Sequence, residues 1–315
     1  MIIKNRNKSD LLQKLEALLR RLPNDHTKIP IIKKDYAKSL AGYKGERSID
    51  YPLSFLPQHK YSILHDLRLF DGSHYFQIDT LIVSSSFVTI IEVKNISGTL
   101  VFDQTFNQLI RINENREEAF PNPIIQVKRH VEQLEKWRIA SNIQSFPIEP
   151  LVVIGNERAV IKASNKSVSQ IVLPQGLLTK RIMKFEEKHK VEENSSFNQA
   201  LLIEKLLCDH IKLSPDILQR YQIPITDLQK GVQCSHCSIY SMRRIHGGWV
   251  CEHCSFTSKN AHLQALKDYS LLISSEITNL QARDFLHINS IHTTKRILNS
   301  KKSKGYKKGK SYFLD

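Results

Sequence analysis

The sequence has no apolar run long enough to form a membrane-spanning helix, which excludes an integral membrane protein of the helical kind. Its composition, 41% hydrophobic and 24% charged, is globular and excludes a collagen-like or wholly disordered chain. The first 22 residues lack the apolar core and cleavage site of a signal peptide, so we expect a cytoplasmic protein. A chain of 315 residues is longer than an average domain with a single hydrophobic core, so we expect two or three domains.

Acidic residues are scarce. The chain has 31 Asp and Glu against 46 Lys and Arg, a formal net charge of +15, which favours a polyanionic partner such as nucleic acid or an anionic membrane surface. Residues 295–310 contain no acid and eight basic residues, among them Lys307 and Lys308. This run is predicted to bind the DNA backbone; a solvated, disordered tail is the alternative. Membrane attachment through the basic ends is a further alternative that we set aside in favour of nucleic acid.

Three charged residues interrupt a predicted hairpin of two apolar strands, residues 77–83 and 88–94, joined by three serines. Side chains two apart on a strand point the same way, so Glu92 and Lys94 share one face, within reach of Asp79 on the neighbouring strand. Magnesium and manganese prefer oxygen ligands, which makes Asp79 and Glu92 candidate metal ligands. A metal held there would act on a scissile phosphate. Lys94 is then placed to orient the water that attacks the phosphate, or to help deprotonate that water. The alternative is a half-buried salt bridge that fixes the sheet register.

Three further residues extend this set. Glu46 ends a predicted helix and is able to approach the same site, although by itself it would be assigned to the surface. Gln126 and His130 are four apart on a helix predicted to begin at Asn122-Pro123, so they share a face, as residues that contact substrate phosphate or position the site's water would. A structural role is the alternative for His130.

Four segments of this region together resemble the nuclease-related domain family, NERD. They are residues 45–46, 77–83, 92–98 and 122–130, and the resemblance covers roughly residues 38–155. It implies a PD-(D/E)XK-like fold, which is an α/β mixed sheet flanked by helices, and magnesium-dependent cleavage of DNA phosphodiesters.

The resemblance also implies individual roles. Asp79 and Glu92 would be metal ligands, and Lys94 would be the catalytic lysine. Gln126 would correspond to the helix glutamine of the RecB-like branch, and Glu46 to the acidic residue of the first helix. His130 stands where that branch usually has a tyrosine, and we assign it to DNA binding.

Cysteine is rare, with five in the chain, and four of them form two Cys-x-x-Cys pairs thirteen residues apart. This spacing predicts a structural zinc site made by Cys234, Cys237, Cys251 and Cys254. Two disulfides are the alternative, which a reducing cytosol disfavours. The remaining Cys208 lies in an apolar helical pattern and is predicted to be a buried structural thiol.

The segment between the cysteine pairs reads as a β-hairpin with a glycine turn, and the whole resembles a zinc ribbon. Arg243 and Arg244 on this hairpin are candidate phosphate contacts. Trp249 is expected to pack beside the metal; contact with a base is the alternative. His236 and His253 are alternative metal ligands.

Three helical patterns between residues 261 and 298 resemble a helix-turn-helix of the winged-helix kind. Ser290 is predicted to cap the last helix, with Lys295 and Arg296 on its exposed early turns as DNA contacts. The alternative is a helical pair that packs on the zinc ribbon.

The sequence therefore predicts an α/β, PD-(D/E)XK-like domain followed by a helical connector, a zinc-ribbon hairpin and a small helical C-terminal domain. The predicted boundaries are residues 1–30 (N-terminal helix), 31–173 (NERD domain), 174–229 (connector), 230–258 (ribbon) and 259–315 (basic segment). The predicted function is hydrolysis of DNA by water activated by a divalent metal, with structural zinc elsewhere. The alternative is a non-catalytic DNA-binding protein that uses the nuclease-like fold as a scaffold.

Overall fold

The structure is a computed structural model that describes residues 1–114, 116–163, 165–190, 197–306 and 309–314. Lys307 and Lys308 of the basic run lie outside this description. The helices are α1 (Asp10–Arg21), α2 (Ile29–Ser48), α3 (Asp50–Leu53), α4 (Pro123–Ala140), α5 (Val168–Ile171), α6 (Leu178–Lys188), α7 (Gln199–Cys208), α8 (Ile217–Tyr221), α9 (Ala261–Leu272), α10 (Asn279–Leu286) and α11 (Ile291–Leu298). Short 3₁₀ helices occupy Gln175–Leu177 and Ile225–Asp227.

The strands are β1 (Ile2–Lys4), β2 (Ser62–Phe70), β3 (Tyr75–Val83), β4 (Val88–Lys94), β5 (Thr99–Asp103), β6 (Gln108–Asn113), β7 (Arg116–Pro121), β8 (Ile148–Ile154), β9 (Val160–Ala163), β10 (Val172–Pro174), β11 (Met242–Ile245), β12 (Gly248–Cys251), β13 (Thr257–Ser258), β14 (Glu276–Thr278), β15 (Ser303–Lys304) and β16 (Ser311–Phe313). Within the described residues, no helix has the length and apolar character needed to cross a membrane.

The chain forms two compact units, residues 1–8 with 40–213 and residues 9–39 with 214–315. We call them unit 1 and unit 2. The structure thus divides residues 1–30, treated as one segment in the sequence analysis, between the two units. The other predicted boundaries stay predictions.

Unit 1 is built on a six-stranded mixed sheet in the order β1-β2-β3-β4-β8-β10. β3 is antiparallel to β2 and β4, whereas β4, β8 and β10 run parallel. Successive residues of a strand enter opposite faces, so Ile90 packs in the core that contains Leu134 of α4, and Ile91 packs in the core that contains Ile182 of α6. The predicted mixed sheet with flanking helices is confirmed.

A second sheet, in the order β7-β6-β5-β9, belongs to the same unit. Its Leu100, Phe102 and Leu109 join the core on the α4 side. Only β5 shows a clear alternation of buried and less buried residues. Strands β6, β7 and β9 are short; β6 has one buried residue, and β7 and β9 have none.

The expectation that Cys208 is buried is wrong. Helix α7 ends at this residue, and its thiol is exposed. The face of α7 that packs inward carries Leu202 and Leu206, four residues apart.

Unit 2 contains the three-stranded sheet β11-β12-β13 and a second sheet, β14-β16-β15, with α9, α10 and α11. The predicted helices are present, and Ser290 caps α11 by accepting a hydrogen bond from the backbone N–H of Thr293. Trp249 of the first sheet shares one core with Phe285 and Leu298 of the helices, so the helices do pack against the cysteine-bearing hairpin.

Candidate active site

The pairing of β3 with β4 sets the positions of the two candidate metal ligands. The ladder between these strands ends at Thr80 and Ile91, one residue before Asp79 and Glu92 would pair. Beyond that point Asp79 Oδ2 accepts a hydrogen bond from the backbone N–H of Val93 at 2.9 Å. The carboxylate thus takes the place of a main-chain acceptor, which fixes Asp79 beside the residue that follows Glu92.

Lys94 connects the strand to helix α4. Its Nζ donates to Glu92 Oε1 at 2.7 Å and to Gln126 Oε1 at 3.0 Å. Asn122 caps α4 by accepting from the N–H of Ile124, and this capped first turn presents Gln126 to the lysine. The structure therefore brings together three residues that the sequence analysis grouped.

The second oxygen of Glu92 lies without a hydrogen-bond partner. Glu92 is 3% exposed, and Oε2 is buried and unpaired within the described structure. Nδ1 of His130, a nitrogen that is itself buried and unpaired, lies 3.8 Å from this oxygen. An orphaned buried carboxylate oxygen is costly, so this oxygen is a candidate metal ligand. His130 is 5% exposed, so its proposed role moves from a contact with DNA to a place beside Glu92.

Helix α2 brings Glu46 towards the strands because two glycines allow close approach. A Cβ on Gly45 would lie 2.2 Å from Cβ of Asn95, the residue after Lys94. A Cβ on Gly155, which follows β8, would lie 2.4 Å from Oγ of Ser48. A side chain on Gly45 would displace α2 or Asn95, and one on Gly155 would displace at least the Ser48 hydroxyl.

Sequence analysis missed the cation that holds Glu46. Arg6, 3% exposed, places Nη1 3.3 Å from Glu46 Oε2 and 3.3 Å from the backbone oxygen of Asp79. Its Nη2 bonds Oγ1 of Thr80 and Nδ1 of His65, both at 2.8 Å. Arg6 lies far from the hairpin in sequence and sits in no motif, so only the fold reveals it.

Two more charged residues belong to this neighbourhood. Asp66 lies 3.7 Å from Nη1 of Arg6 and adopts a left-handed φ of 53°, at the one position where the β2–β3 ladder is interrupted. The sequence contains a signal for Asp66, because His65 and Asp66 are polar residues that interrupt an apolar strand, as Asp79 does in the next strand. Arg129 is exposed, three residues after Gln126, and its charge acts on both Glu92 and His130.

Burial shifts the protonation of the site. Removal from water raises the pKa of Asp79 well above its usual range, and the carboxylates of Glu92 and Glu46 raise it further. Burial likewise raises the pKa of Glu46 to about 7, an effect that the Asp66 carboxylate strengthens and Arg6 opposes. The pKa of Glu92 is raised by burial against the opposing charge of Lys94. The positive groups of the protein therefore do not fully balance the negative charge of the carboxylates in this site.

Burial lowers the pKa of His130 to about 4, with help from the positive charges of Arg129 and Lys94. The imidazole is therefore neutral at pH 7 and contributes no positive charge to the site.

Comparison with known protein families decides the assignment of this region: residues 41–155 match the nuclease-related domain. The chain contains a NERD domain. No curated protein and no solved structure matches the chain.

The residues of the NERD domain fit a divalent cation. Asp79 and Glu92 offer oxygen ligands, one of them the unpaired Oε2 of Glu92, and a cation would offset the charge that raises their pKa values. Among the described residues, only the four cysteines bring three or more ligand atoms within 4.8 Å of one another. The carboxylates would therefore supply part of a coordination shell, as magnesium accepts when water completes it.

Outside the NERD domain, the four cysteines form a second candidate metal site. Sγ atoms of Cys234 and Cys254 are 3.7 Å apart, and those of Cys237 and Cys251 are 3.6 Å apart. Tetrahedral zinc with bonds of about 2.3 Å places its sulfurs about 3.8 Å apart, whereas a disulfide bond is about 2.05 Å long. All four are free cysteines, and the cluster fits a zinc ribbon.

The two cysteine turns have the same local structure. Ser238 and Ser255, each directly after a Cys-x-x-Cys pair, adopt left-handed φ values of 60° and 59°. Each donates its N–H to the carbonyl of the first cysteine of its pair, at 2.9 Å. His236 and His253 are exposed and lie outside the four-cysteine set, so the alternative that they are ligands is not supported.

The candidate DNA contacts of unit 2 are mostly exposed. Lys295 and Arg296 on α11 are exposed, and Arg243 is exposed in an ion pair with Glu252 at 2.7 Å. Arg244 is half-buried, with its guanidinium 5.4 Å from the Trp249 ring centroid.

Trp249 itself is fully buried and donates to Nδ1 of His262 at 3.1 Å. Trp249 shares a core cluster with Cys234 and Cys251, which favours packing beside the metal site over contact with a base.

Proposed function

We propose that the NERD domain hydrolyses DNA phosphodiester bonds with a divalent cation held by Asp79 and Glu92. The observation that carries this proposal is the buried, unpaired Oε2 of Glu92, beside a lysine that is already positioned by Glu92 and Gln126. Magnesium or manganese bound there would polarise the phosphate and make water more acidic.

The protein's own groups have distinct tasks. Lys94 is held close to the carboxylates, where its ammonium offsets the negative charge that builds on the phosphate and orients the attacking water. Gln126 fixes Lys94 at 3.0 Å and faces the same space. Glu46, with a pKa of about 7, exchanges a proton readily near neutral pH, as proton transfer during hydrolysis requires.

Unit 2 supplies DNA binding in this proposal. The order α9, β14, α10, α11, β15, β16, with β14 and β15 flanking β16, corresponds to a winged helix. Helix α11 would be the recognition helix, with Lys295 and Arg296 on its exposed side. A structural zinc ion would stabilise the ribbon, whose two short hairpin strands have little core of their own.

The test is cleavage of supercoiled, linear and single-stranded DNA by the purified chain with added magnesium or manganese. Glu92→Gln removes the proposed ligand, and Glu132→Gln, an exposed glutamate of α4, is its matched control. We expect the first to abolish cleavage and the second to retain it, with DNA binding unchanged in both.

Salt-dependent DNA binding by every protein, with no cleavage by any of them, would refute hydrolysis and identify the fold as a binding scaffold.

The proposed winged helix is tested by a variant in which Lys295 and Arg296 are both changed to Gln. The slope of log affinity against log salt concentration should then become shallower by about 0.9 for each phosphate that the protein no longer neutralises.

A further inference from the structure

The outer side of α2 and α3 carries aromatic rings and cations at helical spacing. Tyr43, Arg47, Tyr51 and Phe55 follow one another at intervals of four residues, and Lys44 lies beside them. We call these five residues the aromatic–basic strip. Tyr51 is 74% exposed and Phe55 60% exposed, and both cations are exposed. Large aromatic rings that are exposed together on one short segment indicate a surface that a ligand covers.

Contacts within the strip order its side chains. The guanidinium of Arg47 lies 5.9 Å from the ring centroid of Tyr43. The rings of Tyr51 and Phe55 meet edge to face, with centroids 5.0 Å apart and planes at 85°. The side chains are thus partly preorganised before a ligand arrives, which reduces the entropy lost on binding.

The charges of this segment are sorted by side. Its acids, Glu46 and Asp50, both pair with the buried Arg6, at 3.3 and 3.2 Å. The cations Lys44 and Arg47 face solvent. The strip itself carries two exposed cations and no acid, and it suits a ligand with both flat apolar groups and negative charge.

We propose that the aromatic–basic strip binds unpaired nucleic acid, with bases on the rings and phosphates on the cations. Base stacking on aromatic side chains combined with cations along the backbone is how proteins hold single strands. In a duplex the bases are stacked on each other, so the rings would select single strands, flaps or locally opened DNA.

The position of the strip connects this surface to the candidate active site. Glu46 and the strip share helix α2, so a strand bound on the strip would lie next to the helix that brings Glu46 to the carboxylate site. That the bound strand is the substrate rests on the proposed function; that the strip binds it does not.

The test measures binding of the full chain to a short single-stranded oligonucleotide and to a duplex of the same length, by fluorescence anisotropy. Divalent cations are omitted and no chelator is used, so cleavage is avoided while zinc is retained. The variant is Tyr51→Ala with Phe55→Ala. Phe106→Ala, at a ring that is 78% exposed in the turn between β5 and β6, is the matched control.

We expect the double variant to lose about tenfold or more in single-strand affinity and to keep duplex affinity within about twofold. Phe106→Ala should change neither, and Tyr51→Phe with Phe55→Tyr, which keeps both rings, should restore single-strand binding. An unchanged single-strand affinity, or an equal loss on single strand and duplex, overturns the proposal.

This binding measurement and the cleavage assay together separate the two proposals. Ring-dependent single-strand binding by a chain that never cleaves DNA would refute hydrolysis and retain the strip. Cleavage that depends on Glu92, with single-strand binding indifferent to the rings, would refute the strip and retain hydrolysis.

Discussion

Arg6 and Glu46 form an ion pair at 3.3 Å that joins the segment after β1 to helix α2 at the edge of the candidate active site. The same guanidinium reaches the backbone oxygen of Asp79. One buried cation therefore connects the carboxylate of the helix to the backbone of the strand residue Asp79, although the residues are forty or more positions apart in sequence.

Arg6→Ala should destabilise the protein by about 3 kcal/mol or more, because it leaves the acids around it without their cation. Arg243→Ala removes an exposed ion pair with Glu252 and should cost less than about 1 kcal/mol. Urea denaturation measures both changes. Equal effects of the two variants would show that the Arg6 network contributes little.

Glu46 should make stability depend on pH. Its pKa rises from an ordinary 4.5 to about 7 on folding, so the folded protein binds more protons between these values. The contribution is complete below about pH 4.5 and is lost as pH rises through 7. The free energy of unfolding of the wild type, relative to Glu46→Gln, should therefore fall by on the order of 1–3 kcal/mol from pH 4.5 to 8. A difference that rises with pH would show that the pKa is not raised.

Two glycines of α2 should respond oppositely to alanine. Gly45→Ala places a methyl group 2.2 Å from Asn95 Cβ and should cost about 1–3 kcal/mol and displace Glu46. Gly42→Ala meets no atom within 4 Å and should stabilise the helix by about 0.5–1 kcal/mol. Thermal unfolding and DNA cleavage report on both. Full cleavage by Gly45→Ala would contradict the need for close approach of α2.

Zinc content tests the cysteine cluster. The purified chain should contain one zinc ion, and Cys237→Ser should lose it together with the ordered ribbon. Cys208→Ser changes an exposed thiol outside the cluster and should retain the metal. Atomic emission spectroscopy measures the ratio of zinc to protein. A wild-type protein purified without zinc that also fails to bind added zinc would be inconsistent with this site.

Local sequence patterns predicted much of unit 1 and the cysteine site. The hairpin of β3 and β4 followed from alternating apolar residues, and α4 from its Asn122 cap and helical spacing. Glu92 and Lys94 were grouped because alternate residues of a strand share a face, and the resemblance to the NERD family brought Gln126 to the same site.

The rest depended on contacts distant in sequence. Arg6 contacts residues 40 to 74 positions away, and no local pattern records such partners. The burial of His130 also depends on the packing of α4 against the sheet, whereas helical spacing alone gave it an exposed role. Strands β6, β7 and β9 of the second sheet, with at most one buried residue each, have too weak an alternation to identify from sequence.

The rate of DNA cleavage by Lys94→Ala tests the central claim most directly. Under single-turnover conditions with magnesium, we expect the rate to fall by about 100-fold or more, because the charge beside the phosphate is lost. Lys128→Ala, at an exposed lysine of α4, should cleave at the wild-type rate. Wild-type cleavage by Lys94→Ala would contradict the account, since catalysis would then not use the site formed by Asp79, Glu92 and Lys94.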